Sequence, residues 1–154
     1  MRIEYINPFV DASHDIIMEV CGGVKKGELY LKESSTPILG VAVLVGIAGD
    51  VRGRMLLDMS RDTSINVSDY MNGEKTNNFD QMTKATITEL ANMIAGLAIT
   101  KLSNLGFTFH VSPPTILTGD NMEITSTAIE AVIVPMGTDH GLIELNIAIK
   151  ESIQ

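Results

Sequence analysis

Hydrophobic residues recur at helical spacing between Asn78 and Gly106, the longest regular pattern in the chain. Successive residues of an α-helix turn by about 100°, so apolar residues three or four positions apart share the side that faces a core. This apolar side comprises Ile87, Leu90, Ala91, Ile94, Leu97, Ala98 and Leu102. We therefore predict one dominant helix of about 26 residues, roughly 39 Å long at about 1.5 Å per residue.

Two shorter segments carry helix signals at both ends. The stretch "INPFVDASHDIIMEVCGG" predicts a helix with Asn7 as its N-cap and Pro8 at its first helical position. The stretch "SRDTSINVSDYMNG" predicts another, capped by Ser60 or Asp62. Both stretches end in glycine, which commonly terminates helices because it adopts a left-handed backbone without strain.

Strand patterns flank the helical segments. The run "GELYLKESSTPILGVAVLVGIAGDVRGRMLLDM" predicts two or three antiparallel strands with a turn at Gly49–Asp50, and Gly46 and Gly53 are interpreted as turn glycines as well. The segment "FHVSPPTILTG" brings a double proline to the entry of an edge strand. The last forty residues predict a hairpin about the turn "GTDHG".

The order of these elements is helix, strands, helices, strands, with no linker between them. It predicts a single domain over residues 1–154 of the α+β class, in which long helices pack on one face of an antiparallel sheet. The stretch "ILGVAVLVGIAG" and the final hairpin are expected to leave a long apolar sheet edge. Such an edge favours association with another chain.

Composition narrows the class of partner and the compartment. The net charge is −8, and the basic residues form no cluster, which argues against nucleic-acid binding. Neither a secretory signal nor an apolar run long enough for a membrane span is present, so we predict a cytoplasmic protein. The single cysteine and three scattered histidines lack the spacing of metal ligands, and neither a metal site nor a cofactor is predicted.

The side of the long helix opposite its apolar stripe carries the candidate chemistry. In steps of three and four residues it presents Ala85, Glu89, Asn92 and Gly96. Met82 and Met93 flank this row on one side and Thr88 lies on the other. Short side chains around a carboxylate and an amide let another protein approach closely. Spacing alone, however, is more typical of an ordinary solvated helix face.

The stretch "TELANMIAG", residues 88–96, resembles the Glu-x-x-Asn signature of the CheC, CheX and FliY chemotaxis phosphatases. The opening "MRIEYINPFV" and the segment "VSPPTILTG" are similar to the CheX members of that family, as are the length and order of elements. Two departures stand out: Ala85 replaces an Asp or Ser of the family pattern, and Pro113 and Pro114 come slightly early.

The resemblance implies a phosphatase that hydrolyses the aspartyl phosphate of a CheY-type response regulator. It also implies a homodimer joined through sheet edges. Asn92 would orient the attacking water and Glu89 would dock against the receiver's lysine, with Mg²⁺ carried by the receiver. Partner contacts are expected at Met82, Ala85, Thr88, Met93 and Gly96. Two alternatives stay open: a noncatalytic adaptor of the same fold that binds a receiver or a flagellar partner, and a small-molecule binding domain.

CheC-like members carry two copies of the signature, which raises the question of a second site in this chain. Asp15, Glu19 and Gly22 in "DIIMEVCGG" repeat its spacing, but glycine stands at the amide position. Without an amide this copy could not orient water. We therefore predict a single site, as in CheX.

Overall fold

Helices and a large antiparallel sheet form two layers in the computed structural model, which describes residues 3–32, 35–125 and 130–152. The helices of this part of the chain are α1 (Ile3–Cys21), α2 (Arg61–Asn72) and α3 (Gln81–Asn104). Its strands are β1 (Lys25–Lys26), β2 (Tyr30–Lys32), β3 (Ser35–Pro37), β4 (Val41–Gly49), β5 (Val51–Met59), β6 (Phe109–Val111), β7 (Thr115–Thr118), β8 (Glu123–Thr125), β9 (Ala131–Thr138) and β10 (Gly141–Glu151).

The main sheet has the strand order β1-β9-β10-β5-β4-β6, with β2 also beside β9 and β7 also beside β4. Strands β3 and β8 pair separately. Both predicted hairpins are confirmed: β4 turns into β5 at Asp50, and β9 turns into β10 at Asp139 and His140. Parts of the predicted strands, at residues 33–34 and 126–129, lie outside the described residues, as does residue 153 of the predicted domain.

The core lies between the helices and one face of the sheet. A row of Val43, Leu57, Leu145 and Val134 crosses four neighbouring strands, and all four side chains are fully buried. Phe9 of α1 and the apolar side of α3 pack over this face. The predicted α+β class, with helices on one face of an antiparallel sheet, is confirmed.

The sheet edges differ from the prediction. A long apolar edge was expected at residues 38–49 and at the final hairpin, and this is wrong for the described chain. Strand β4 pairs with β5 on one side and with β6 and β7 on the other. On its outer side β9 pairs with β1 and β2. Short strands from distant segments thus cover the long ones, and the strand β2 leaves Tyr30 and Leu31 exposed at an edge.

Two local predictions are also corrected. Helix α1 already includes Ile3, so Asn7 is not its N-cap and Pro8 lies inside it. Packing explains the extension, because the ring of Tyr5 contacts that of Phe107 at a centroid distance of 5.0 Å. Neither Gly46 nor Gly53 forms a turn, since both lie within strands. At Gly53 a side chain would collide with the backbone of β10, and a close approach of two strands requires glycine there.

The other helix boundaries agree with the sequence. Ser60 caps α2 by accepting a hydrogen bond from the Thr63 amide, and Gly73 ends it in a left-handed conformation. Helix α3 is slightly shorter than predicted, because its N-cap is Asp80. No helix in the described ranges is long and apolar enough to cross a membrane.

Candidate active site

Helix α3 carries the candidate residues and is fixed at its start and along its length. Asp80 accepts a hydrogen bond from the Thr83 amide while the Thr83 hydroxyl accepts one from the Asp80 amide, a reciprocal capping box. Of the seven predicted apolar residues, six are fully buried and Leu97 is half-buried. The backbone that presents the opposite side is therefore held by both capping and packing.

The opposite side of α3 is open to solvent. Ala85, Glu89, Asn92 and Gly96 are all exposed. Glu89 and Asn92 stand three residues apart, which on an ideal helix is about 4.5 Å along the axis and about 60° around it. We call the exposed row Met82, Ala85, Glu89, Asn92 and Gly96 the signature ridge.

Within the described part of the chain, neither candidate side chain of the signature ridge is engaged by another residue. Among the described residues, Glu89 and Asn92 form no hydrogen bond or ion pair with another side chain. Lys84 lies over the ring of Phe79, 5.5 Å from its centroid, and Lys101 contacts Asp15 at 3.4 Å. A carboxylate and an amide are thus presented together without an internal partner.

The methionine and threonine side chains around the pair differ in accessibility. Met82 is 62 % exposed, whereas Met93 and Thr88 are half-buried. The Thr88 hydroxyl donates to the carbonyl oxygen of Lys84 at 2.7 Å and is therefore turned back onto its own helix. Flanking contacts to a partner would come mainly through side-chain methyl groups.

The second, incomplete copy of the signature lies on α1, and the fold leaves no free space for a side chain at its amide position. Asp15 and Glu19 are exposed, but the helix ends at Cys21, and Gly22 has a left-handed φ of 79°. A Cβ atom at Gly22 would stand 2.7 Å from the hydroxyl oxygen of Tyr70. An asparagine cannot take this position without strain, which supports the prediction of a single site.

The remaining candidates from the sequence do not assemble into a site. His14, His110 and His140 lie apart, and no described group of three metal-ligating side chains could hold an ion. Cys21 is buried, and this burial raises the pKa of its thiol to about 11, as expected for an unreactive cysteine.

Sequence reasoning missed two features away from the ridge. A cleft of about 510 Å³ lies at the C-terminal end of α2. There the tilted rings of Tyr70 and His140 are in contact, with a distance of 4.3 Å between their centroids. Asp58 is buried on the sheet face away from the helices, and burial raises its pKa to about 7. No local pattern signals either feature, because each depends on strands and helices distant in sequence.

A long helix that presents glutamate and asparagine one turn apart, over an antiparallel sheet, agrees with the resemblance of the sequence to the CheC-like chemotaxis phosphatases. The family model described as chemotaxis phosphatase CheX matches residues 41–137, more than half of the chain. This chain belongs to the CheX family.

Individual relatives agree with this membership. The CheY-P phosphatase CheX of Thermotoga maritima is 29% identical over 128 residues, covering 82% of this chain and 83% of that protein. A chain in the crystal structure of the CheX-CheY-BeF3-Mg²⁺ complex from Borrelia burgdorferi is 39% identical, with a TM-score of 0.85, and the match covers 97% of this chain and 100% of that one. The chemotaxis protein CheX of Desulfovibrio desulfuricans is 28% identical, with a TM-score of 0.85 and coverage of 96% and 99%.

Proposed function

We propose that this protein hydrolyses the aspartyl phosphate of a CheY-type response regulator, and that Glu89 and Asn92 enter the receiver's phosphorylated pocket together. The observation that carries the proposal is the exposed Glu-Asn pair, without a partner among the described residues, on the helix of a chemotaxis phosphatase family member. A relative that is 39% identical has been crystallised with CheY, beryllofluoride and Mg²⁺, which supports the class of partner.

Asn92 is proposed to position the water. Its amide both accepts and donates hydrogen bonds, so it can hold a water in line with phosphorus, as a glutamine does in GTPases. The water oxygen bonds to phosphorus as the bond from phosphorus to the aspartyl oxygen breaks, which releases inorganic phosphate and the receiver's carboxylate. A hundredfold acceleration corresponds to about 2.7 kcal/mol of barrier, within the reach of positioning alone.

Glu89 is proposed to dock the helix. As an anion without an internal cation, it can pair with the lysine of the receiver's active site and so set the register of Asn92. Mg²⁺ is expected on the receiver, and no cofactor of the phosphatase takes part in this mechanism. Because the acyl phosphate is already a good electrophile, positioning is most of what the phosphatase must add.

The remaining parts of the proposal concern contacts and assembly. We propose that Met82, Ala85, Thr88, Met93 and Gly96 form the contact surface around the pair. We also propose that residues 1–154 act as one phosphatase domain in the cytoplasm, and that two copies pair through sheet edges. The exposed apolar residues in β2 support the last of these.

The test is the lifetime of phosphorylated CheY-type receivers from the source genome with and without this protein. We expect Asn92→Ala to bind the receiver normally but to lose most of the acceleration, at least about tenfold. Glu89→Ala should weaken binding and lower the rate together. Asn104→Ala, the same substitution at an exposed position three turns along α3, is the matched control and should behave as the wild type.

Full activity in Asn92→Ala would refute the proposed mechanism. A wild-type protein that binds the phosphorylated receiver without shortening its lifetime would instead establish the noncatalytic adaptor.

A further inference from the structure

Met82 stands out on the signature ridge by its exposure. At 62 % it is as exposed as Leu31, the other most exposed large hydrophobic residue of the described chain. Other described methionines, such as Met55, Met59 and Met136, are fully buried in the core. An apolar side chain held this far into solvent at the start of a helix contributes little to the fold of this protein.

The position of Met82 relative to the catalytic pair follows from helix geometry. It precedes Glu89 by seven residues, two turns of α3, so the two side chains leave the helix in directions only about 20° apart. Their separation along the axis is about 10 Å. A receiver whose pocket encloses Glu89 and Asn92 therefore extends over Met82.

Met82 also differs chemically from the rest of the ridge. Between it and Asn92 the exposed residues are Ala85 and Glu89, and beyond Asn92 the ridge continues with Gly96. Met82 is thus the one long apolar side chain on this row. Methionine is flexible and polarizable, which suits it to fill a shallow apolar depression on a partner.

We propose that Met82 is a docking residue for the receiver and inserts into an apolar depression beside the pocket that receives Glu89 and Asn92. The inference rests on the proposed function and names the chemistry of the partner's surface. Met82 sets affinity for the receiver, and it has no part in the chemical step.

The experiment compares Met82→Gln with Met82→Leu. Glutamine keeps length and helix propensity but is polar, whereas leucine keeps the apolar volume. Met82→Gln should raise Kd about tenfold for the beryllofluoride-Mg²⁺ form of the receiver that binds the wild type most tightly. With the phosphorylated form of the same receiver it should raise KM about tenfold and leave kcat within twofold. Met82→Leu should stay within threefold of the wild type in all three.

Met18→Gln is the matched control, since Met18 is a second exposed methionine, 42 % accessible, on α1. It should leave Kd, KM and kcat unchanged. A photo-crosslinker at position 82 should label apolar residues of the receiver near its phosphorylation site.

Wild-type Kd in Met82→Gln, equal losses in the leucine and glutamine variants, or crosslinks to a charged surface would each overturn the proposal. The proposed function fails separately, through full activity in Asn92→Ala or through a wild type that binds no receiver.

Discussion

Gly96 is an exposed glycine in the interior of α3, four residues after Asn92. Apart from the adjacent backbone of its own helix, no described atom lies within 4 Å of the place where its Cβ would stand, so packing does not require glycine there. Glycine inside a helix costs about 0.5–1 kcal/mol relative to alanine. Gly96 thus lowers the stability of the helix, and it lies one turn from the side-chain amide of Asn92.

We expect Gly96→Ala to stabilise the protein by about 0.5–1 kcal/mol in urea unfolding and to slow receiver dephosphorylation several-fold. The added methyl group would hold the receiver away from the helix just beyond Asn92. A more stable variant with an unchanged rate would show that the receiver does not approach the backbone at this position.

Asp58 makes the stability of the protein depend on pH. It is 2 % exposed, and its carboxylate oxygens accept hydrogen bonds from the Leu39 amide at 3.1 Å. Burial is the main cause that raises its pKa to about 7, and Glu144 adds to the shift against the backbone hydrogen bonds. Between about pH 4 and pH 7 the folded protein holds a proton that the unfolded chain has lost.

Stability should therefore fall as pH rises through this range, by an Asp58 contribution of up to about 4 kcal/mol, and level off above it. Asp58→Asn removes this titration, so its free energy of unfolding should change less between pH 5 and pH 8 than that of the wild type. Urea titrations at both pH values measure the difference. Asp120→Asn, at an exposed position, should keep the wild-type slope.

At the scale of elements, α1 and α3 carry the same signature spacing, but only α3 has an amide at its last position. We expect Gly22→Asn, which completes the Glu-x-x-Asn spacing on α1, to restore no activity to Asn92→Ala. It should also destabilise the protein by up to about 1 kcal/mol, because the left-handed backbone favours glycine and the Tyr70 hydroxyl must move out of the space that the new side chain needs.

The rate of the double variant Gly22→Asn/Asn92→Ala tests this directly. Adding Tyr70→Phe removes the hydroxyl contact and should recover part of the stability but none of the activity. Dephosphorylation above the level of Asn92→Ala alone would mean that the α1 copy can act.

Elements specified by local signals were predictable from the sequence. The boundaries of α2 depend on Ser60 and Gly73, and the buried and exposed sides of α3 follow from spacing alone. That is why the exposure of Glu89 and Asn92 could be predicted. Their roles rest on the family resemblance, since the same spacing fits an ordinary solvated face.

What the sequence could not predict depends on contacts between distant segments. From the sequence, Gly53 is typical of a turn, and only its contact with the backbone of β10 shows why a strand needs glycine there. The obstruction at Gly22 likewise depends on Tyr70, which comes from α2. The start of α1 was missed because Tyr5 packs on Phe107, about a hundred residues later. The covered edge of β4 was also missed because it depends on contacts between segments distant in sequence.

At the scale of the whole molecule, the open question is how two copies would meet. With the long strands covered, the exposed apolar edge of the described chain is at β2, where Leu31 is 62 % exposed. Exposed apolar edge strands favour pairing with another sheet, and a charge placed on one opposes it.

We expect light scattering to give twice the chain mass of 16.6 kDa for the wild type. Leu31→Lys should shift the mass to that of one chain. Leu105→Lys, at an equally exposed residue beyond the end of α3, should leave the dimer intact. A single-chain mass for the wild type would refute the homodimer. If Leu31→Lys remained dimeric, the dimer interface would have to lie on another surface.

The capping box and buried stripe of α3 hold in place the backbone that carries Glu89 and Asn92, so under the proposed function no helix has to form before they meet a receiver. A site that is preorganised pays little conformational entropy on encounter and waits for no loop to close. Under the proposed function, the lifetime of the phosphorylated signal then depends on how often the two proteins collide. A cell could set the duration of that signal through the number of copies of this protein that it makes.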